Sequence, residues 1–335
     1  MKKHAIAIAV GSLFALPAVA LAGGPTVYGK VNVSYENIKE NDNKIWDLQS
    51  NDSRLGVKGS FDLDARDLSA IYGLEFGADV AEGGDSALSQ RNIYGGLQHA
   101  TMGTFKVGKF DTPFKKAQGS VDQFGDLAGD IKTIAAGENR VSNILQYTSP
   151  KLGEMVTVNL AVMPGEDREV NGDRDGPADS ISSSLVFDNG TFYGALAYDS
   201  EVSDKTFDSV IADLDDNYVD AFRAVGMMNM GNFEFGGLVQ TAESSEDHDN
   251  GKTYEDTTTL VSGAYNVDRW KFKAQYGVTD LDQTDDELGL MAFGADYKIG
   301  KASKLFGYYA DVDQDQEDDE DKTHVGLGFE HKFSM

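Results

Sequence analysis

The sequence predicts an all-β fold: a transmembrane antiparallel up-and-down β-barrel of about 16 strands. Three features of the 335-residue chain predict it. Apolar and polar residues alternate in stretches of about 10 residues. Short and long connections take turns between those stretches. The chain also opens on an export segment, yet holds no apolar run near the roughly 20 residues of a transmembrane helix.

The export segment comes first. Lys2 and Lys3 form a positive n-region, residues 5–16 an apolar run too short to cross a bilayer, and Pro17 precedes the small-residue site Ala20-Leu21-Ala22. Residues 1–22 are therefore expected to be removed, leaving the barrel over 23–335. Composition fits such a barrel. Glycine is abundant at 37 residues, proline scarce at 6, and aromatics make up 10%, as suits many short strands joined by turns. A disordered polyacid would lack the aromatics. With no cysteine, disulfides, zinc-thiolate sites and cysteine nucleophiles are excluded. The net charge of −27 argues against nucleic acid as a partner.

In the first segment Val27, Val31, Val33 and Tyr35 share one face, against Tyr28, Lys30, Asn32, Ser34 and Glu36. In the second, Leu55 and Val57 place Arg54 on the polar face. In the third, Leu68, Ala70, Tyr72, Leu74 and Phe76 oppose Ser69, Ile71, Gly73 and Glu75. Late in the chain Trp270, Phe272, Ala274, Tyr276 and Val278 oppose Lys271, Lys273 and Gln275. Residues 90–99, 180–187 and 303–311 alternate less cleanly; Ile93 and Leu97 share a face with Arg91. The short connections are 62–67, 100–103, 149–153, 188–190, 231, 266–269 and 300–302. The long ones are 37–51, 79–89, 112–139, 164–179, 200–218, 243–256, 280–287 and 313–322. Loops sorted by length gather the long ones at one end. Lipid forbids an open edge, so the meander must close. At about 16 strands the interior is too wide for side chains to fill, which puts the polar faces inward around water.

Other chemistry finds little support. Asn171-Gly172-Asp173-Arg174-Asp175-Gly176 opens like an EF-hand, but position 12, which needs a bidentate Glu, is Ser182, so no metal site is expected. The histidines are His4, His99, His248, His324 and His331, and neither G-x-S-x-G nor a metal-ligand spacing occurs. A barrel hydrolase, which needs a nucleophile oriented by a base, is the rival reading from another class. No cofactor is expected.

Several motifs resemble the general (non-specific) trimeric porins of the Gram-negative outer membrane. They are Tyr28-Gly29-Lys30, Ser53-Arg54-Leu55-Gly56-Val57-Lys58-Gly59, Gln90-Arg91-Asn92-Ile93-Tyr94-Gly95-Gly96-Leu97, Gly103-Thr104-Phe105-Lys106-Val107-Gly108-Lys109 and Gln146-Tyr147-Thr148-Ser149-Pro150. The resemblance implies a 16-stranded outer-membrane barrel, a homotrimer, and a long third loop folded into the lumen. It also implies a constriction between a basic wall, Lys30, Arg54, Arg91 and Arg140, and an acidic loop carrying Asp122, Asp126 and Asp130. For Arg91 the alternation adds nothing. Opposed charges in a narrow pore create a transverse field that separates the paths of cations and anions.

The implied function is passive diffusion of ions and small hydrophilic solutes, with a weak cation preference taken from the overall acidity. A porin preferring phosphate or another anion stays open through Lys115, Lys116 and Lys132. Inward faces rich in Ser, Asn, Gln and Gly lack the aromatic ladder a sugar channel would show. Outer-membrane lipid and lipopolysaccharide, with divalent cations bridging to acidic loops, are expected partners. Such porins end on an aromatic residue, whereas Phe333 is followed here by Ser334 and Met335; the two extra residues keep the parity of the last strand.

Overall fold

The computed structural model describes residues 24–41, 43–82, 88–165, 174–204, 218–245, 255–282, 286–314 and 321–335. The export segment, residues 171–173 of the EF-hand-like stretch, His248 and residues 315–320 of the long connection 313–322 lie outside the described residues. The strands are β1 (Thr26–Glu40), β2 (Asn43–Ser50), β3 (Arg54–Asp62), β4 (Leu68–Ala78), β5 (Leu88–His99) and β6 (Gly103–Asp111). After the third loop come β7 (Arg140–Thr148), β8 (Val156–Met163), β9 (Ser180–Asp188), β10 (Phe192–Ser203), β11 (Tyr218–Met230) and β12 (Phe233–Ser244). The chain ends with β13 (Glu255–Val267), β14 (Trp270–Leu281), β15 (Asp286–Lys298), β16 (Ser303–Gln314) and β17 (Lys322–Ser334).

Each strand pairs antiparallel with its neighbours in sequence, and β1 closes on β17. Both β2 and β3 pair with β1, as two lengths of one strand broken at 51–53, so the closed barrel has 16 strands. The seam runs to the last residue. Met335 N–H donates to the Val27 carbonyl at 2.8 Å, and Val27 N–H to Met335 at 3.1 Å. Residues 334 and 335 thus lengthen the closing ladder beyond Phe333, which pairs with Gly29.

Exposure runs inside-out relative to a water-soluble protein. Tyr35, Leu55, Leu74, Phe272 and Tyr276 are exposed, while Asn32, Ser34, Glu36 and Gln275 are buried. Only lipid makes that arrangement favourable, because the apolar faces have no protein to cover them. At the short-turn end the outer surface carries paired rings, Phe61–Tyr72 at 5.7 Å, Phe233–Tyr265 at 4.7 Å and Trp270–Tyr297 at 4.7 Å. Amphipathic rings collect at the depth of lipid headgroups, so this rim marks one membrane interface.

Two local expectations need correction, and one weak pattern finds its cause. Residues 37–51 are mostly strand: β1 continues to Glu40 and β2 starts at Asn43, with Ile38 opposite Ile45 and Tyr35 stacked on Trp46 at 5.1 Å. Cross-strand pairs of this kind prolong a hairpin past the point where alternation weakens. Residues 90–99 do form a strand, and a β-bulge explains the broken pattern. Leu74 faces Ile93 but Phe76 faces Gln90, so Arg91 and Asn92 together oppose Glu75 and both side chains reach it. Finally, the inward faces are not uniformly polar. From β10 to β16 they carry Ala197, Val225, Leu238, Leu260, Leu290 and Ala292, all buried, because the third loop covers them. Phe306, Tyr308 and Ala310 of β16 lie under the same loop, leaving both faces of that strand apolar and its alternation faint.

Candidate pore constriction

The third loop leaves β6 and turns at once into α1 (Pro113–Ala117). Thr112 caps it, its hydroxyl accepting the Lys115 N–H at 3.1 Å, and Pro113 supplies the fixed φ of a first helical residue. The loop then lies along the β10–β16 wall on two apolar footings. Phe114, Val121, Ile131 and Ile134 pack into the first, Phe124 and Leu127 into the second. Gly137 adopts φ +84°, and a Cβ there would sit 2.2 Å from the Phe114 ring, so only glycine fits.

Polar pins hold the loop's backbone. Gln275 donates to the Gly129 carbonyl at 2.7 Å, Thr279 to Ile134 at 2.7 Å, Lys273 to Gln123 at 2.9 Å and Tyr193 to Ala117 at 2.9 Å. Arg223 is the central one. It is fully buried, pairs with Glu138 at 2.8 Å, donates to the Ala136 carbonyl at 3.1 Å and lies over the Phe114 ring at 4.4 Å.

Of the three loop acids, Asp126 meets the basic wall. Lys30 and Arg54 are direct cross-strand partners on β1 and β3, and their like charges clasp its carboxylate. Lys30 forms an ion pair with it and Arg54 Nη2 stands 3.5 Å away. Asp126 sits at φ 71°, a left-handed conformation that Asp tolerates, and its N–H is held by the Asp130 carboxylate at 2.8 Å. Asp122 and Asp130 serve the loop's own backbone instead. Asp122 accepts from Phe124 N–H at 2.8 Å and Ile131 N–H at 3.3 Å, while Asp130 caps a short 3-10 turn (Ile131–Thr133) through Lys132 N–H at 2.9 Å.

Electrostatics separates these acids. Burial opposes charge on Asp126, but Lys30 and Arg54 outweigh it and hold its carboxyl well below the usual range. For Asp122, burial and then the Asp130 charge both work the other way and push its carboxyl up. Burial likewise raises Asp130.

The remaining basic residues face other partners. Arg91 pairs with Asp52 at 2.8 Å and Glu75 at 3.1 Å. Arg140 pairs with Asp111, its cross-strand neighbour, at 2.9 Å. A second bulge lies beside this pair: Gly108 faces Ile144 while Phe110 faces Val141.

Gram-negative porins match as a family over residues 5–319. The chain belongs to that family. No curated protein matches it in sequence. Among solved structures, the anion-selective porin from Comamonas acidovorans is similar at TM-score 0.75 and 18% identity, over 92% of this chain and 99% of that one. The in-vitro folded, trimer form of OmpT, an outer membrane protein of Vibrio cholerae, aligns at 0.66 and 16%, over 93% and 100%. Salmonella typhi OmpF in complex with daunomycin aligns at 0.67 and 14%, over 92% and 98%. The chain is therefore an outer-membrane channel protein of the porin family.

Sequence reasoning passed over Arg223, Asp52 and Asp111, and put Glu75, Lys273 and Gln275 on polar faces without giving them a role. One signal was available for Arg223: it stands alone among Val219, Ala221 and Val225 on a face otherwise apolar. A lone charge on such a face marks a buried partner.

Proposed function

We propose that this porin is a passive general-diffusion channel for ions and small hydrophilic solutes, narrowed by its third loop and carrying out no catalysis. The observation that carries this reading is Asp126 on the loop clasped by Lys30 and Arg54 on the wall. That contact divides the lumen, and solutes pass between the loop and the wall of β3 to β6. The charges turned to water there are mainly basic. Lys132 and Lys116 are about half exposed, and Arg54, Lys115 and Arg140 partly so; among the acids Asp52 and Asp126 are partly exposed, whereas Asp111, Glu75 and Glu138 lie buried beneath their partners. A field acts most strongly where the passage is narrow and walled by low dielectric. The preference between small ions is therefore for anions, opposite in sign to the weak cation preference expected from total charge. The anion-selective Comamonas relative supports this sign.

In this reading residues 1–22 are an export signal and the functional unit is a homotrimer, as the trimer form of the Vibrio relative supports. Lipid surrounds the barrel, and divalent cations bridge its acidic loops to lipopolysaccharide. The test is single-channel recording of refolded protein in a planar bilayer, with the reversal potential measured across a KCl gradient. Stepwise openings in threes and an anion-sided reversal potential are expected. Folded protein without conductance would overturn the channel reading, and a cation-sided potential would overturn the preference.

A further inference from the structure

Among the described residues, the root of the third loop gathers more basic than acidic side chains. Asp111, the last residue of β6, is buried, with Lys116 Nζ 3.0 Å and Arg140 Nη2 2.9 Å from it. Lys115 lies within electrostatic reach of the same carboxylate, and Lys106 within reach of it and of Lys116. A second acid here is Glu138, whose carboxylate is 3.9 Å from Lys115 and already committed to buried Arg223 at 2.8 Å. Among the described residues, Lys106, Lys116 and Arg140 thus gather about Asp111 and Lys115 lies between it and Glu138, a crowding of like charge that is repulsive wherever the effective dielectric falls below that of bulk water.

Placement and unmet hydrogen bonding point the same way. Asp111 is 6% exposed and lies beneath, while Lys116 at 49%, Lys115 at 22% and Arg140 at 19% turn toward the lumen. The Arg140 Nε–H is buried without an acceptor among the described residues. Lys106 projects inward between the outward Phe105 and Val107. Its ammonium rests over the faces of Phe110 at 3.8 Å and Tyr94 at 5.5 Å, with no carboxylate or carbonyl within hydrogen-bonding distance among the described residues. Donors of this number and sign suit a ligand with several acceptor oxygens and negative charge.

We propose that Lys106, Lys115, Lys116 and Arg140 form a binding station for small soluble oxyanions of the phosphate class, at the root of the third loop. Asp111 is its organiser: it fixes Lys116 and Arg140 and leaves the excess charge for the ligand. The proposal rests on the reading of the lumen as a water-filled solute path. A station in such a path must bind firmly enough to admit its ligand and weakly enough to release it.

The test uses the refolded, detergent-solubilised porin with inorganic phosphate, by calorimetry, and the same protein in a planar bilayer with phosphate added to chloride. Wild type is expected to give a binding heat and a phosphate-dependent fall in chloride current. The double substitution Lys106→Gln with Lys116→Gln weakens both by about tenfold or more, which corresponds to about 1.4 kcal/mol or more. Lys151→Gln, a charge-matched change in a distant turn, leaves both as they were. Heat-modifiable gel mobility verifies that each variant is folded. Phosphate binding unaffected by the double substitution, or absent from folded and conducting wild type, would overturn the station. Binding heat from a folded protein that never conducts would instead remove the channel reading and leave the station standing.

Discussion

On the arc from β10 to β16 the inward positions hold Ala197, Leu238, Leu260 and Leu290, buried under the third loop. On the arc from β1 to β7 they hold Asn32, Arg54, Glu75 and Gln146, which meet polar or charged partners. Both arcs face one lumen and share one pleat and one outward apolar surface. The difference teaches that a wide barrel has no inside chemistry of its own. Each inward residue answers to what lies over it, and a loop of aliphatic and aromatic residues makes half the lumen a hydrophobic core.

Substitutions on the two arcs break or sharpen that comparison, and the largest effect is expected at Arg223. Arg223→Ala strands buried Glu138 and the Ala136 carbonyl, costing about 3–5 kcal/mol. The thermal midpoint of the detergent-folded barrel should fall and its current become noisy; an unchanged midpoint would mean that the loop is not anchored there. Phe124→Ala empties the second footing for about 3 kcal/mol, read by the same melt. On the polar arc, Ser53→Ala strands the buried Asn32 N–H and carbonyl and should cost about 1–2 kcal/mol, less than Phe124→Ala. Equal losses at Phe124 and Ser53 would erase the distinction between the arcs.

Acidity offers a gentler probe of the same loop. The folded loop holds protons on Asp122 and Asp130 that the unfolded chain releases near its ordinary value of about 3.9. Between that value and their raised folded values, the native state binds more protons than the unfolded one. Their contribution to stability is therefore greatest in acid and declines as pH rises above about 4. Asp122→Asn should flatten that decline in a series of melts; an unaltered slope would show that Asp122 is not its source. Asp126 behaves oppositely. Held charged by Lys30 and Arg54, it keeps its contribution until pH falls below the ordinary carboxylate value. The smallest effect expected is that of Asp126→Asn, a shift of reversal potential further toward anions.

The barrel was legible in the sequence because its outer face obeys a single solvent. Lipid accepts only apolar side chains, so Leu55, Leu74, Phe272 and Tyr276 fall in strict alternation with their neighbours. The inner face obeys two solvents, water and the third loop, and alternation fades where the loop lies, as at Phe306 and Tyr308. Bulges are the second obstacle. One extra residue inverts parity, which hid Arg91. Lys30 and Arg54 stand on unbroken strands, and for them alternation and structure agree on the polar face. The loop acids were unreadable for another reason: local backbone N–H groups compete for Asp122 and Asp130, and composition alone does not say which acid escapes them.

The most direct test of the two-arc account is thiol labelling during single-channel recording, made simple by the absence of cysteine from the chain. Lys132→Cys places a thiol on the loop face turned to water, and Ala292→Cys one on the wall beneath the loop. A charged methanethiosulfonate reagent should block current through the Lys132→Cys channel and leave the Ala292→Cys channel unmodified. Equal block at both positions, or faster reaction at Ala292→Cys, would contradict a lumen filled on one arc and open on the other.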